Sequence, residues 1–337
     1  MSTPPLLSIG LFLYNGEKFL AGAIESILNQ TFKNFELIIS DNCSTDRSGE
    51  ICRHYADRDE RIRYYRNDRN LGAGWNLRRV YELATGKYFK QAAHDDMIQQ
   101  DYLRLCIDAL EADDSLVLAH SLTRVIDEAG QLVENYNDGN RTSSLDPVVR
   151  ARDLLLRSRC AYPIFGVIRM DALRQLPPQG SYPHSARVLL LQLSLLGRFY
   201  EVPEYLFIST KHSGQSHWTF PERSRYKGFR LTRRCGTLPP AEWWDPAKAR
   251  DLVFPEWRVI KEFVASITRS GLSPKQKAQC YSLVARWIGR YHRRMGKDLL
   301  VAADQLLFNF QYRHTSYGQG QSLDSPHNIV SFEGESL

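Results

Sequence analysis

Cysteine is scarce in this chain of 337 residues, where it occurs only six times. The six positions show neither the spacing of a zinc finger nor the density of a domain held together by disulfides. We therefore expect reduced thiols that act as packing residues, as in a cytoplasmic protein. They are Cys43, Cys52, Cys106, Cys160, Cys235 and Cys280.

Long apolar runs are also missing. No stretch approaches the roughly 18 apolar residues that a membrane-spanning helix needs, and the first residues lack the basic and apolar regions of a secretory signal. With 43% hydrophobic residues, the chain can nevertheless bury a large core. These features predict a soluble globular protein of the cytoplasm, with one large domain or a domain plus an appendage.

The net charge of +6 is unevenly distributed. Residues 211–313 carry 20 of the 44 Lys and Arg but only 8 of the 38 Asp and Glu. Within this region Arg286, Arg290, Arg293 and Lys297 have the spacing that places side chains on one face of a helix. Such a face favours anionic membrane headgroups, nucleic acid or a phosphorylated acceptor, and the alternative is a solvated basic surface. Because no nucleic-acid-binding motif accompanies it, no specific nucleic-acid partner is expected.

Strands and helices alternate in the first hundred residues. Amphipathic helices, with apolar residues every three to four positions, separate four apolar runs that predict buried strands. This alternation predicts an α/β fold with a parallel, doubly wound sheet, whose ligands bind beyond the carboxyl ends of the strands. The predicted strands cover residues 6–14, 35–40, 62–65 and 88–93.

The rest of the sequence predicts a mixture of strands and helices, followed by a helical region. Residues 125–133 predict a hairpin, whereas residues 154–159 and 188–196 predict helices. Residues 200–203 and 206–208 predict two short extended pieces. The helical pattern from 255 to 310 breaks at Ser273-Pro274, where proline suits the first turn of a new helix.

Paired carboxylates follow the fourth predicted strand, in the tripeptide His94-Asp95-Asp96. Mg²⁺ and Mn²⁺ prefer oxygen ligands, and one or two carboxylates together with substrate phosphates often hold them. The pair therefore indicates a metal ion and a diphosphate at an exposed turn. The alternative is that Asp95 or Asp96 caps a helix that begins near Gln99.

Residues 8–15, 26–32, 40–46 and 69–72 and the pair Asp95-Asp96 form five segments that, in this order and spacing, resemble family 2 glycosyltransferases. The resemblance covers about residues 5–215 and implies a GT-A fold, a Rossmann-like mixed sheet whose nucleotide-binding half is joined to an acceptor-binding half. We divide the chain into this domain (1–215), a basic and mainly helical extension (216–313) and a disordered tail (314–337).

The resemblance also implies a donor site, for which a UDP-sugar is favoured. The backbone around Leu13 and the side chain of Asp41 would contact the base. Asn15 and Glu17 would lie near the nucleoside, and Arg69 would lie against the base or a phosphate. For Asp41 the alternative is a cap on the helix that begins near residue 47.

For the acidic motif, the resemblance implies that Asp95 contacts the ribose or a metal-bound water and that Asp96 coordinates Mn²⁺ or Mg²⁺. His212 resembles a histidine that completes the metal site or contacts the diphosphate, and the alternative is a solvated loop histidine. His94 stands where many relatives carry an acid. It lowers the local negative charge, although imidazole can also ligate Mn²⁺.

The resemblance finally implies an inverting transfer to a hydroxyl of a glycan or lipid-linked acceptor. In relatives a carboxylate at the position of Ala186 deprotonates that hydroxyl, and alanine cannot. His184 has suitable chemistry nearby, unless it is only structural. We therefore expect a surface-glycan glycosyltransferase with Asp95, Asp96 and His184 as catalytic residues, bound peripherally at the inner face of the membrane. The alternative is a weak or inactive nucleotide-sugar-binding protein.

Overall fold

The computed structural model describes residues 4–212, 241–248 and 254–307. Over these residues the chain forms one mixed sheet flanked by helices. The strands are β1 (Leu7–Leu13), β2 (Phe35–Asp41), β3 (Ile62–Arg66), β4 (Tyr88–Ala92), β5 (Asp96–Ile98), β6 (Leu116–Asp127), β7 (Leu132–Tyr136), β8 (Val167–Arg169) and β9 (Arg198–Lys211). The helices are α1 (Glu17–Leu28), α2 (Ser48–Ala56), α3 (Ala73–Leu83), α4 (Tyr102–Ala112), α5 (Pro147–Leu156), α6 (Met170–Arg174), α7 (Ser185–Leu196), α8 (Ala241–Trp244), α9 (Pro255–Arg269) and α10 (Pro274–Leu307).

The first four strands form the parallel part of the sheet. β1 pairs in parallel with both β2 and β4, and β2 pairs in parallel with β3. The strand order is β3-β2-β1-β4-β8-β6-β9-β5, β7 pairs with β6, and β8 runs antiparallel to β4. The predicted α/β class with a doubly wound mixed sheet is therefore confirmed.

Burial explains why these segments adopt these elements. Every residue of β2 is buried, as expected for a strand covered on both faces. The buried residues of α1 recur at the three- and four-residue spacing that lays one face of a helix on the sheet. They are Leu20, Ala23, Ile24 and Ile27.

Two predicted helices begin earlier than expected. α5 begins at Pro147 rather than at residue 154, because the Asp146 carboxylate accepts a hydrogen bond from Val148 N (2.9 Å) and proline suits the first turn. α7 begins at Ser185 rather than at residue 188.

The two short pieces predicted after residue 200 were wrong, because they belong to one continuous strand, β9. Its pairing with β6 shifts between Val202 and Tyr205, so Pro203 lies in a bulge where its missing N–H breaks no ladder hydrogen bond. The predicted hairpin is confirmed as β6 and β7.

The predicted break between the two C-terminal helices is confirmed. Ser273 precedes α10 and exchanges hydrogen bonds with Gln276, since its N–H donates to Gln276 Oε1 (3.0 Å) and Gln276 N–H donates to Ser273 Oγ (3.4 Å). Helices α9 and α10 share one apolar cluster with α5 and α7, in which Phe263 and Trp287 meet edge to face. The predicted boundary at residue 215 and the predicted tail lie outside the described residues.

The cysteines in the described part of the chain are free thiols, and Cys52, Cys106 and Cys280 are buried as packing residues. Cys235 lies outside the described residues. Among the helices of the described ranges, none combines the length and apolar character needed to cross a bilayer.

Candidate active site

The strand ends bring the polar motifs to one edge of the sheet. In the parallel register Leu13 at the end of β1 pairs with Asp41 at the end of β2, and Asp41 pairs with Arg66 at the end of β3. β4 ends two residues before His94. The loops that follow these strands are therefore neighbours, as the doubly wound topology predicts.

Asn15 and Glu17 join the first two of these loops. Asn15 Oδ1 accepts a hydrogen bond from Thr45 N (2.8 Å), and Glu17 Oε2 accepts one from Arg47 N (2.9 Å). Asn15 has a positive φ of 53°, which asparagine tolerates better than most residues. Both side chains thus position the loop after β2, and their contact with a nucleoside stays a prediction.

Asp41 is fully buried and anchors the loop that follows it. Its Oδ1 accepts a hydrogen bond from Ser44 N (2.8 Å), and its Oδ2 accepts hydrogen bonds from the Tyr64 hydroxyl and Arg66 Nη1, both at 2.9 Å. The helix-cap alternative for Asp41 is wrong, because it is Asp46 Oδ1 that accepts from Ser48 N at the start of α2.

Sequence reasoning missed Arg66 and Tyr64. Arg66 forms the ion pair with Asp41, whereas Arg69 is exposed on the following loop. The strand register pairs Asp41 with Arg66, so alignment of the two predicted strands was the signal that could have found it. The predicted contact of Arg69 with a base or phosphate stays untested.

The side chain of Asn76 holds the strand ends at the same edge of the sheet. Asn76 on α3 donates to the carbonyl oxygens of Leu13 (3.3 Å) and Ser40 (2.8 Å). The Leu13 carbonyl also accepts from Asn42 N (2.9 Å), and a carbonyl oxygen has two lone pairs. A base contact from the backbone near Leu13 would therefore use other groups than this carbonyl.

The acidic pair lies where a turn meets a strand. Asp95 lies in the turn, whereas Asp96 is the first residue of β5 and its Oδ1 accepts a hydrogen bond from Thr210 N (3.3 Å) on β9. The expected exposed turn was wrong for Asp96, which is partly buried by this pairing. The helix-cap alternative was also wrong, because α4 begins only at Tyr102.

His212 closes this site from the end of β9. Its Nε2 lies 2.9 Å from Asp95 Oδ2, and its ring centroid lies 4.6 Å from that of Phe19 on α1. Only 8% of the His212 side chain is exposed, so the alternative of a solvated loop histidine is wrong. Whether His212 ligates a metal stays a prediction.

His94 packs on the first loop. A Cβ atom at Gly16 would lie 2.5 Å from His94 Cδ2, so the close approach of this ring requires glycine at position 16. Burial lowers the pKa of His94, which favours the neutral imidazole.

The two neighbouring carboxylates differ in their protonation. Burial would raise the pKa of Asp95, but the hydrogen bond from His212 holds that pKa below its usual value. Burial, together with the charge of Asp95, raises the pKa of Asp96 to about 8. The protein thus places two acids close together in a site where one of them resists ionisation.

No group of three His, Cys, Asp or Glu side chains in the described ranges is arranged to hold a metal ion. The donor chemistry of Asp95 and Asp96 nevertheless fits Mg²⁺ or Mn²⁺, which protein sites often bind through one or two carboxylates and substrate phosphates. The raised pKa of Asp96 is consistent with this fit, because a nearby cation favours the charged form of a carboxylate.

The start of α7 carries the candidate base. His184 precedes the helix in the left-handed region (φ 67°), and its Nε2 lies 3.9 Å from Glu256 Oε1 on α9. Burial lowers the pKa of His184 to about 4. Ala186 packs on an apolar cluster, and the first turn of α7 contains no acid. Glu256, which sequence reasoning missed, brings the nearest carboxylate to this ring among the described residues.

Helix α3 connects this segment to the loop that contains Arg69. A Cβ atom at Gly74 would overlap Ser181, and a Cβ atom at Gly72 would lie 2.6 Å from the Trp244 carbonyl oxygen. The loop before α7 and helix α8 therefore both contact the start of α3, next to the segment that contains Arg69.

Known proteins share this sequence pattern and fold. The model of the family named Glycosyl transferase family 2 matches residues 8–176. Chondroitin synthase of Escherichia coli is 36% identical over 135 residues, which are 40% of this chain and 19% of that protein. The glycosyltransferase GlyG of Streptococcus pneumoniae is 31% identical over 113 residues, 34% of this chain and 38% of that protein. The chain thus spans less than half the length of these relatives.

Solved structures extend the likeness to the fold. The crystal structure of residues 1–349 of Staphylococcus aureus TarS has a TM-score of 0.58 at 16% identity, over 86% of this chain and 73% of that one. The central mixed sheet and the helical C-terminal part agree with this architecture. The chain therefore belongs to glycosyl transferase family 2 and has a GT-A fold.

Proposed function

We propose that this protein transfers a sugar from a UDP-sugar to a hydroxyl of a glycan or lipid-linked acceptor, with inversion and with the help of Mn²⁺ or Mg²⁺. One observation carries the proposal: Asp95, Asp96 and His212 meet at the sheet edge where β1, β2 and β4 end. Ligands of doubly wound sheets bind at that edge.

The donor assignment rests on the two loops beside this cluster. Asn15 and Glu17 hold the loop after β2 in place, and the buried Asp41 anchors it from within. TarS, which shares the fold, has been crystallised with UDP and with UDP-GlcNAc. Both facts support a uridine nucleotide bound at these loops.

The acidic pair would serve the leaving group. Asp95 and Asp96 would hold a divalent ion, which when bound stabilises the negative charge that develops on a departing diphosphate. His212 keeps Asp95 oriented and ionised through its hydrogen bond. The Phe19 ring packs against the imidazole, with the two ring centroids 4.6 Å apart.

The acceptor hydroxyl must lose its proton, and here the alternative function has support. The first turn of α7 lacks an acid, and His184 has a pKa of about 4, which makes it a weak base at neutral pH. This observation favours slow turnover, or a protein that binds nucleotide sugars without transferring them. His184 remains our candidate base, with its Nε2 3.9 Å from Glu256 Oε1.

We also propose peripheral contact with an anionic membrane through α10, at the cytoplasmic face where surface glycans are assembled. Arg286 and Arg293 are exposed on this helix, and Leu299 and Leu300 are exposed near them. Arg290 contributes less, because its guanidinium donates to the Leu156 carbonyl. Basic helices with exposed apolar residues bind anionic lipid surfaces.

Calorimetric titration with UDP-GlcNAc tests the proposed donor site. We expect binding that strengthens with Mn²⁺ in the wild type and loses that dependence in Asp96→Asn. Asp108→Asn, on the exposed side of α4, should behave like the wild type. If UDP-GlcNAc, UDP-glucose and UDP-galactose all fail to bind with Mn²⁺ present, the proposal is wrong.

A further inference from the structure

A buried lysine lies on the strand that leads to the acidic pair. Lys90 is in β4, which ends shortly before Asp95 and Asp96, and only 1% of the lysine is exposed. Lysine is almost never fully buried unless its charge is paired, because removal of an ammonium group from water is costly. A charge buried at this position therefore favours a role that an apolar residue could not fill.

The ammonium group is held by carbonyl oxygens and aromatic rings. Its Nζ donates hydrogen bonds to the carbonyl oxygens of Phe165 and Gln91. It also lies 5.0 Å from the ring centroid of Tyr102 and 5.6 Å from that of Phe207. Within the described ranges no carboxylate accepts a hydrogen bond from Lys90. The charge is thus stabilised by dipoles and ring faces, without an acidic partner in direct contact.

Strand β9 brings this ammonium close to the acidic pair. Phe207, whose ring lies beside Nζ, is two residues before Ser209, and Ser209 pairs with Asp96 between β9 and β5. Because two residues of a strand span about 6.6 Å, Nζ lies on the order of 10 Å from Asp96. Burial lowers the pKa of Lys90 to about 8, although the nearby charge of Asp96 opposes this shift. At pH 7 the ammonium form therefore predominates.

A positive charge behind the acidic pair suits a ligand with several negative charges. Opposite charges about 10 Å apart attract one another appreciably where protein rather than water separates them. Salt also screens a buried charge less than an exposed one. In the proposed donor the negative charge is on the diphosphate, which would lie at the acidic pair. The uncharged base and ribose would gain nothing from this attraction.

We propose that Lys90 is a positioning residue for the donor, a buried positive charge that attracts the diphosphate to the acidic pair without touching it. The proposal rests on the donor site proposed above and assigns this attraction to the diphosphate rather than to the nucleoside. The alternative is that Lys90 only ties β4 to the carbonyl of Phe165, in the 3-10 turn before β8. A tie of this kind would affect nucleoside and diphosphate alike.

Calorimetric titration of Lys90→Met at pH 7 with EDTA present tests this assignment. Methionine has a similar size but no charge, and the Phe165 carbonyl keeps the hydrogen bond from the Tyr102 hydroxyl (3.0 Å). Because an apolar residue in place of a buried charge is often neutral or stabilising, urea unfolding should show at least wild-type stability. We expect UDP and inorganic pyrophosphate to bind about tenfold more weakly, and uridine to bind as in the wild type.

Two further variants complete the test. Lys90→Gln keeps a hydrogen-bond donor without the charge, so it should show the same loss of UDP and pyrophosphate affinity as Lys90→Met. Lys87→Met is the matched control, because Lys87 directly precedes the same strand but is exposed and paired with Glu111. This control should bind all three probes like the wild type.

The role of Lys90 is overturned if both of its variants bind UDP and pyrophosphate like the wild type, or if uridine binding falls by the same factor. It is also overturned if neither anion binds the wild type. If pyrophosphate binds the wild type, binds the Lys90 variants more weakly, and UDP does not bind at all, the role of Lys90 is supported and the donor proposal is wrong.

Discussion

The imidazole of His212 contacts the carboxylate of Asp95 across 117 positions of sequence, with Nε2 2.9 Å from Oδ2. Both side chains are mostly buried, and the contact joins the end of β9 to the turn after β4. The histidine therefore supports the acidic pair whether or not it also reaches a metal.

His212→Ala should lower both stability and donor affinity. Removal of the imidazole leaves Asp95 as a buried acid without this partner, which costs about 1–3 kcal/mol of unfolding free energy. Because the turn loses its anchor, UDP-GlcNAc affinity with Mn²⁺ should fall about tenfold. Urea unfolding and calorimetry measure the two effects, and His54→Ala on the surface of α2 is the control. Wild-type values in both assays would contradict the role given to this contact.

Asp41→Asn should weaken nucleotide binding even without metal, because its predicted partner is the base rather than the diphosphate and it anchors the loop after β2. The asparagine keeps the size but loses the ion pair with Arg66. We expect UDP affinity in the presence of EDTA to fall about tenfold, a size typical of a lost charge-assisted hydrogen bond. Uridine should show the same loss. If UDP and uridine bind the variant as tightly as the wild type, Asp41 is not part of the donor site.

Ala186→Asp should accelerate transfer, because it supplies the acid that the first turn of α7 lacks. General base catalysis contributes about 10²–10⁴-fold, and donor affinity should change little. The measurement is the rate at which UDP is released from the UDP-sugar during transfer. Ala186→Asn is the control, because asparagine has nearly the size of aspartate but no basic group. This variant should keep the wild-type rate.

His184→Ala complements that experiment. If His184 already acts as the base with help from Glu256, its removal should lower the rate by at least tenfold, and Ala186→Asp should add nothing to the wild type. If His184→Ala leaves the rate unchanged and Ala186→Asp raises it strongly, the wild-type site lacks a general base.

Acid should destabilise the protein partly through His120. Burial lowers the pKa of this side chain from 6.5 to about 4, so between these values the unfolded chain binds the proton more readily than the folded protein. Folded stability should therefore fall as the pH drops from 6.5 toward 4, by about 3 kcal/mol from this residue. Urea unfolding of His120→Gln should show a flatter dependence over this window. The exposed His292→Gln should keep the wild-type slope.

Much of the fold could be predicted from local sequence. The apolar runs of β1, β2 and β4 and the helical spacing of α1 located these elements, and alternation then implied the edge where Asp41 and Asp95 lie. The starts of α5 and α7 were missed. The cap by Asp146 and the proline at position 147 extend α5, whereas tertiary packing decides where α7 begins.

The partners of the site residues could not be predicted in the same way. Asp95 with His212, and His184 with Glu256, are brought together by elements far apart in sequence. The ion pair of Asp41 with Arg66 depends on the register between two strands, which one residue of slippage would change. Periodicity indicates which face of an element is buried, but not which residue of another element meets it.

The apolar cluster shared by α5, α7, α9 and α10 sets a lower limit on the fragment of this protein that can be expressed alone. The family match ends at residue 176, yet a protein cut there, or before α9, would leave Ala151 and Leu155 facing water. Exposed apolar patches of this kind promote aggregation. Soluble fragments for crystallisation or inhibitor screening should therefore retain the chain at least through Trp287.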